Sequence, residues 1–282
     1  MDEKQELQFR KTFDSLVSEA WNLCFLPRSS QLQQLAIKAL EKFRDEEVLT
    51  AKKRLCAAGN DAGARTMLYH HSIVDAMVFE LAMWMELNNQ DHERAWRYLV
   101  AAQAAVRGAL NARPQSKVNM WAKKLRQIET CVFPPMLFFS IGITAHERTC
   151  SICETAIESC DHVPGRIYGG EFCRLLIPTS TQHECSVVLN PENKACIALR
   201  YDFFGDLVNA FTWEVTEDER AKDDEGSDGH IIEAIVTPGL LQRVRYNIAD
   251  PRARDIVKKQ HFCVSLALDD KSGRLPLPTQ NE

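Results

Sequence analysis

The chain has no apolar stretch long enough to cross a membrane: its longest candidate, 72–85, is too short and contains Asp75 and Glu80. Its first residues, Met1-Asp2-Glu3-Lys4-Gln5-Glu6, are polar and acidic, without the apolar segment of a secretion signal, which predicts a cytoplasmic protein. A strong basic excess is missing too. Residues 1–130 carry 19 Lys+Arg against 16 Asp+Glu, and the remainder 15 against 23, so neither part has the charge of a dedicated nucleic-acid binder. Twelve glycines and eleven prolines in 282 residues are too few for a collagen-like or linker-like chain, and no repeat or low-complexity tract occurs. What is plentiful is cysteine. Ten cysteines in a reducing compartment read as metal ligands before disulfides wherever they cluster.

Two textures divide the sequence. Residues 1–135 read as a helical bundle of five helices. Phe13, Leu16, Val17, Ala20, Trp21 and Cys24 recur at helical spacing. Leu32, Leu35, Ala36, Ala39, Leu40 and Phe43 begin a second helix that extends toward Cys56, before Gly59-Asn60-Asp61. A third, over about 63–88, is apolar on every side, which places it at the centre of the bundle. Asp91 is placed to cap a fourth with Trp96, Leu99 and Val100 on its spine, and a fifth runs from Val118 to Thr130. After Pro135 the pattern changes to short β-rich runs: 175–177, 185–189, 196–199 and 262–266, with apolar residues resuming at 231–236 and 240–246. The acidic segment 214–229 predicts a loop and the residues from Lys271 a frayed tail. The expected fold is therefore α+β: a helical bundle over 1–135, then a zinc-stapled, β-containing domain over 136–282.

The second domain holds the chemistry. Cys150-Ser-Ile-Cys153 is followed by Cys160-Asp161-His162, and then by Cys173. A C-x2-C turn lets two thiolates converge on one ion, and a C-x-H pair on extended backbone puts both side chains on one face. Cys150, Cys153, Cys160 and His162 thus supply three sulfurs and one imidazole, the donor set of a closed tetrahedral structural zinc site. Cys173 is an alternative ligand in place of Cys160 or His162. The competing reading of the cluster is buried thiols that merely pack, and a redox C-x2-C pair would need a preceding βαβ pattern that is absent. The remaining cysteines are isolated or flank a turn, and read as packing residues.

Further marks accompany this knuckle. Phe138-Phe139-Ser140-Ile141-Gly142 precedes it, Gly165 and Tyr168 follow the C-x-H pair, and the strand 186–193 reads Ser-Val-Val-Leu-Asn-Pro-Glu-Asn. With them the chain resembles a group of uncharacterised bacterial proteins over roughly 69–213, including the Tyr69-His70-His71 start of the third helix and the Trp96 helix. The resemblance implies no activity. The run 186–193 is also similar to a strand of phage prohead-protease-like proteins, but Glu192 stands where those have Ala, and no Ser/His nucleophile arrangement accompanies it here.

No residue set amounts to a catalytic site. An HNH-type nuclease would use His162 as base and needs an Asn and a second His on a helix. His183 and Asn190 are the nearby candidates, on what reads as strand. Arg65 and His70 match the R-x4-H spacing of helical-bundle ribonucleases, a two-residue pattern that arises readily by chance. Asp75 and Glu80 read as buried acids satisfied by Arg97 or Arg107 of the next helix, or by backbone. The segment 243–259, with Arg243, Arg245, Arg252, Arg254, Lys258 and Lys259, reads as a solvated helix face or a weak phosphate contact. The sequence thus predicts a zinc-binding recognition protein whose partner is another protein, with a zinc-associated nuclease as the alternative.

Overall fold

A computed structural model describes residues 3–25, 29–188, 191–203, 206–216, 230–237 and 240–246. The expected strand 262–266, the tail, residues 217–229 of the acidic loop, Asn190 and residues 247–259 of the basic segment lie outside the described residues. The fold is α+β, with a helical N-terminal part followed by small sheets. No described helix is long and apolar enough to cross a membrane.

The helices are α1 (Glu3–Trp21), α2 (Ser30–Phe43), α3 (Leu49–Ala57), α4 (Asp61–Asn88), α5 (His92–Ala112) and α6 (Ser116–Val132). A π-helical turn, Arg44–Val48, joins α2 directly to α3, so these form one rod and the helical rods number five. The rod ends at Gly59, whose φ of 65° is the left-handed C-terminal stop. Asn60 then caps α4 by accepting the Gly63 N–H at 2.9 Å. Asp91 caps α5 through the Arg94 N–H at 3.0 Å, as its position predicts.

α4 is the centre of the bundle, and its all-round hydrophobicity has this cause: it packs on α1, α2, α3 and α5 at once. Met77, Leu81 and Met83 are inaccessible to solvent. Narrower buried stripes run along the other helices: Phe9, Phe13 and Ala20 on α1, Ile37 and Leu40 on α2, Trp96, Leu99 and Val106 on α5, Trp121, Leu125 and Ile128 on α6.

Among the described residues ten strands follow: β1 (Phe138–Ala145), β2 (Thr149–Cys150), β3 (Ile167–Tyr168), β4 (Glu171–Phe172), β5 (Leu175–Leu176), β6 (Ser180–Val188), β7 (Ala198–Phe203), β8 (Asp206–Asn209), β9 (His230–Thr237) and β10 (Leu240–Tyr246). β1 pairs with β6, β2 with β5 and β3 with β4, while the largest sheet has the order β10-β9-β7-β8 and antiparallel pairings throughout.

Secondary structure divides near residue 135, but compactness groups the chain differently. One unit is 1–133 with 143–183, so the knuckle belongs with the helices. The other is 134–142 with 184–282, whose described core includes Phe138, Phe139, Ile197, Ala198, Leu207 and Val208.

Candidate metal centre

Short strands and tight turns place the ligands. Cys150 ends β2, where Ser151 N donates to Arg174 O, and the chain turns back through Glu154 (φ 57°), whose N–H bonds Cys150 O at 2.9 Å. This knuckle brings Cys153 Sγ to 3.4 Å from Cys160 Sγ. A 3-10 turn, Ile157–Ser159, delivers Cys160 in extended backbone, and two residues on His162 turns Nδ1 to 3.2 Å from Cys160 Sγ. Backbone N–H groups donate to two of the sulfurs, Ile152 to Cys150 at 3.3 Å and His162 to Cys160 at 3.2 Å. The His162 ring is held edge-on against Tyr168 at 4.6 Å between centroids, and the Tyr168 hydroxyl accepts the Val163 N–H.

The ligand atoms of Cys150, Cys153, Cys160 and His162 all lie within 4.8 Å of one another. A tetrahedral ion with metal–sulfur bonds near 2.3 Å needs sulfur–sulfur edges of about 3.8 Å, so this set can hold one metal ion after small adjustments. The electrostatics point the same way. Hydrogen bonds from Thr155 hold the Cys153 thiol below its ordinary pKa. Partial burial raises Cys160, and the hydrogen bond to Cys153 raises His162. Cys173 Sγ stands 3.7 Å from Cys150 Sγ, both residues buried, but is not among the four mutually close atoms.

The hairpin β3–β4 fixes this knuckle to the helices within the same unit. Lys52, almost wholly buried, forms an ion pair with Glu171, and Cys56 Sγ donates to Gly169 O at 2.7 Å. Gly169 and Gly170 both have positive φ, and a Cβ on Gly170 would lie 2.9 Å from Ala64 O. Only glycine lets the turn approach α4 this closely. Sequence reading singled out the glycines as easing the backbone around the metal core but missed Lys52 and Glu171. A lysine beside Ala51 on an amphipathic helix and a Gly-Gly turn were the signals present.

The other sequence candidates do not assemble into a site. His183 lies on β6, its Nε2 2.7 Å from Thr144 Oγ1, on strand and not on the helix an HNH motif requires. Arg65 donates from Nε to Ala112 O at 2.9 Å and from Nη2 to Asn111 O at 3.0 Å, capping the end of α5. His70, five residues on, lies on another face, among Phe9, Phe13 and Tyr69.

The acids of α4 are paired, but with partners other than Arg97 or Arg107. Asp75 meets Arg44 at 3.1 Å and His71 at 3.2 Å, and is only half-buried. The π turn aims Arg44 at α4, while Arg97 pairs with Glu93 on its own helix. Glu80 is fully buried and accepts from Trp121 Nε1 at 2.5 Å and Lys124 Nζ at 2.6 Å, both from α6.

No protein-family model matches this chain, and neither a curated protein nor a solved structure matches it.

Proposed function

We propose that the protein is an intracellular recognition module in which one structural zinc ion, held by Cys150, Cys153, Cys160 and His162, clamps the segment 143–183 on the helical bundle so that it presents a fixed surface to another protein. The observation that carries the reading is the closed set of four mutually close donors. Three sulfurs and one imidazole are soft ligands that favour zinc over magnesium or calcium. Four protein ligands fill a tetrahedron and leave no position for a reactive water, as a hydrolytic zinc would require. The hairpin contacts to Lys52 and Cys56 give the ion a structural task, because the ligand loop and the docked hairpin are one short stretch of chain. All nine described cysteines are free thiols, which supports a reducing compartment.

The test is metal analysis coupled to a nuclease assay. One zinc per chain is expected, without DNA or RNA cleavage. A zinc-bound imidazole nitrogen cannot also accept a proton, so His162→Cys should keep both the metal and the fold, because thiolate substitutes in a closed site. Metal-dependent cleavage by the native protein, lost in His162→Cys while zinc stays bound, would overturn the recognition reading in favour of a nuclease.

A further inference from the structure

A cavity of about 690 Å³ opens in the helical bundle, well away in sequence from the metal ligands, where α1, α3 and α4 meet the link between α5 and α6. Its size falls within the roughly 300–1,000 Å³ of small-molecule sites. One wall is aromatic. Phe9, Phe13 and Tyr69 surround the His70 ring edge-on, at centroid distances of 5.3, 4.4 and 5.3 Å. Burial, together with the nearby charges of Arg113 and Arg10, holds His70 down to about 4, so this wall is uncharged at neutral pH.

The polar lining is rich in donors. The Arg54 and Arg113 side chains make no hydrogen bond or ion pair among the described residues, although both residues line the cavity. Gln115 accepts the Tyr69 hydroxyl on its Oε1 at 3.1 Å, and Asn60 accepts the Gly63 N–H on its Oδ1. Each amide oxygen is thereby committed, which leaves each NH2 to donate into the cavity. Arg10 is neutralised by Glu6. Asp14 is the one lining carboxylate without a partner among the described residues. Two unpaired guanidinium groups and two amide NH2 groups beside a single unpaired carboxylate call for a ligand that brings acceptors and negative charge.

We propose that this cavity binds a nucleoside monophosphate. The aromatic wall takes a planar base, as stacking on aromatic side chains does for every base. Arg54 and Arg113 take the phosphate, whose charge of about −1.5 to −2 near neutral pH matches two guanidinium groups. Asp14 accepts from a ribose hydroxyl or an exocyclic amine. A triphosphate would bring further negative charge against Asp14 and Glu6, with no additional free cation among the described lining residues to meet it. The proposal is independent of the zinc reading, because no lining residue lies in the segment 143–183.

Calorimetry on the whole 282-residue chain as purified tests it, with AMP, GMP, CMP and UMP as probes and adenosine, inorganic phosphate and benzoate as comparison arms. At least one monophosphate should bind one-to-one, with adenosine and inorganic phosphate each at least about tenfold weaker. Arg54→Gln and Arg113→Gln should each weaken the monophosphate by about tenfold or more. Neither guanidinium holds another group among the described residues, so both variants should unfold at the native temperature. Amide NMR locates the ligand independently: shifts should concentrate at Gly63, Thr66 and Tyr69. Absence of binding by all four monophosphates would overturn the proposal. So would inorganic phosphate or benzoate binding as tightly as any of them, affinity unchanged in both variants, or shifts confined to other parts of the chain.

Discussion

Glu80→Gln removes one charge from the middle of the bundle while keeping the shape of the side chain and an acceptor for the Trp121 indole. Glu80 is inaccessible to solvent, and its two partners donate from one helix turn of α6. Lys124, with about a quarter of its side chain exposed, also lies 4.2 Å above the Trp21 ring, which ties the end of α1 into the same cluster. Loss of a charge-assisted hydrogen bond costs about 1.5–3 kcal/mol. Lys124 can swing partly into water, which favours the lower part of that range. We therefore expect about 2 kcal/mol for Glu80→Gln. Glu80→Leu also strands the buried indole N–H, and should cost about 3–5 kcal/mol. Lys124→Met leaves the carboxylate buried without its cation and gives up a cation–π contact of about 0.5–1 kcal/mol, so it should fall in the same upper range. Urea unfolding of native protein, Glu80→Gln, Lys124→Met and the double variant forms a thermodynamic cycle. The coupling energy should be about 1.5–3 kcal/mol. Additivity within about 0.5 kcal/mol would refute the claim that this pair holds α4 to α6.

Three further perturbations address other parts of the molecule. Cys153→Ser should lose the metal and release the knuckle while leaving the helical circular dichroism nearly intact, whereas Cys173→Ser should retain about one equivalent, since four ligands already close the site; metal analysis distinguishes them, and full zinc in Cys153→Ser would disprove the ligand set. Gly170→Ala places a side chain at φ 73° with its Cβ 2.9 Å from Ala64 O, and should cost about 2–3 kcal/mol, against about 1 kcal/mol for Gly165→Ala, whose Cβ meets open space; equal melting temperatures for the two would show that the hairpin is not docked on α4. His70 has a folded-state pKa near 4 against an ordinary 6.5, so below pH 6.5 the unfolded chain takes up a proton that the folded chain refuses. Stability should fall by about 3 kcal/mol as pH drops from 6.5 to about 4 and then level off, and His70→Phe should remove that part of the slope in urea titrations compared at matched pH.

The sequence showed most where one physical signal acted alone. A helix apolar on every side must be surrounded, and α4 is. Asp91 before an apolar spine is a cap, and a C-x2-C followed by C-x-H can converge because the spacing by itself forces a knuckle. What stayed hidden depended on two distant segments meeting. The rod α2–α3 keeps its hydrophobic pattern through the π turn, but the extra residue in that turn re-aims Arg44, and no composition signal marks it. Arg44 therefore displaced the expected arginines of α5 as the partner of Asp75. Lys52 and Glu171 are 119 residues apart, and each alone looks like an ordinary surface charge. Their pairing explains why a segment with the texture of the strands belongs to the compact unit of the helices. Glycine carried the same information in another form: at position 170 the missing side chain is what allows backbone to approach backbone, and a sequence records only that the residue is small. The cavity is the extreme case. Arg54, Arg113 and Gln115 come from α3 and the α5–α6 link, none stands out along the chain, and the absence of side-chain partners for the two arginines among the described residues exists only in three dimensions. A lone buried histidine in a helix says nothing about ligands until the rings around it and the unpaired cations beside it are placed.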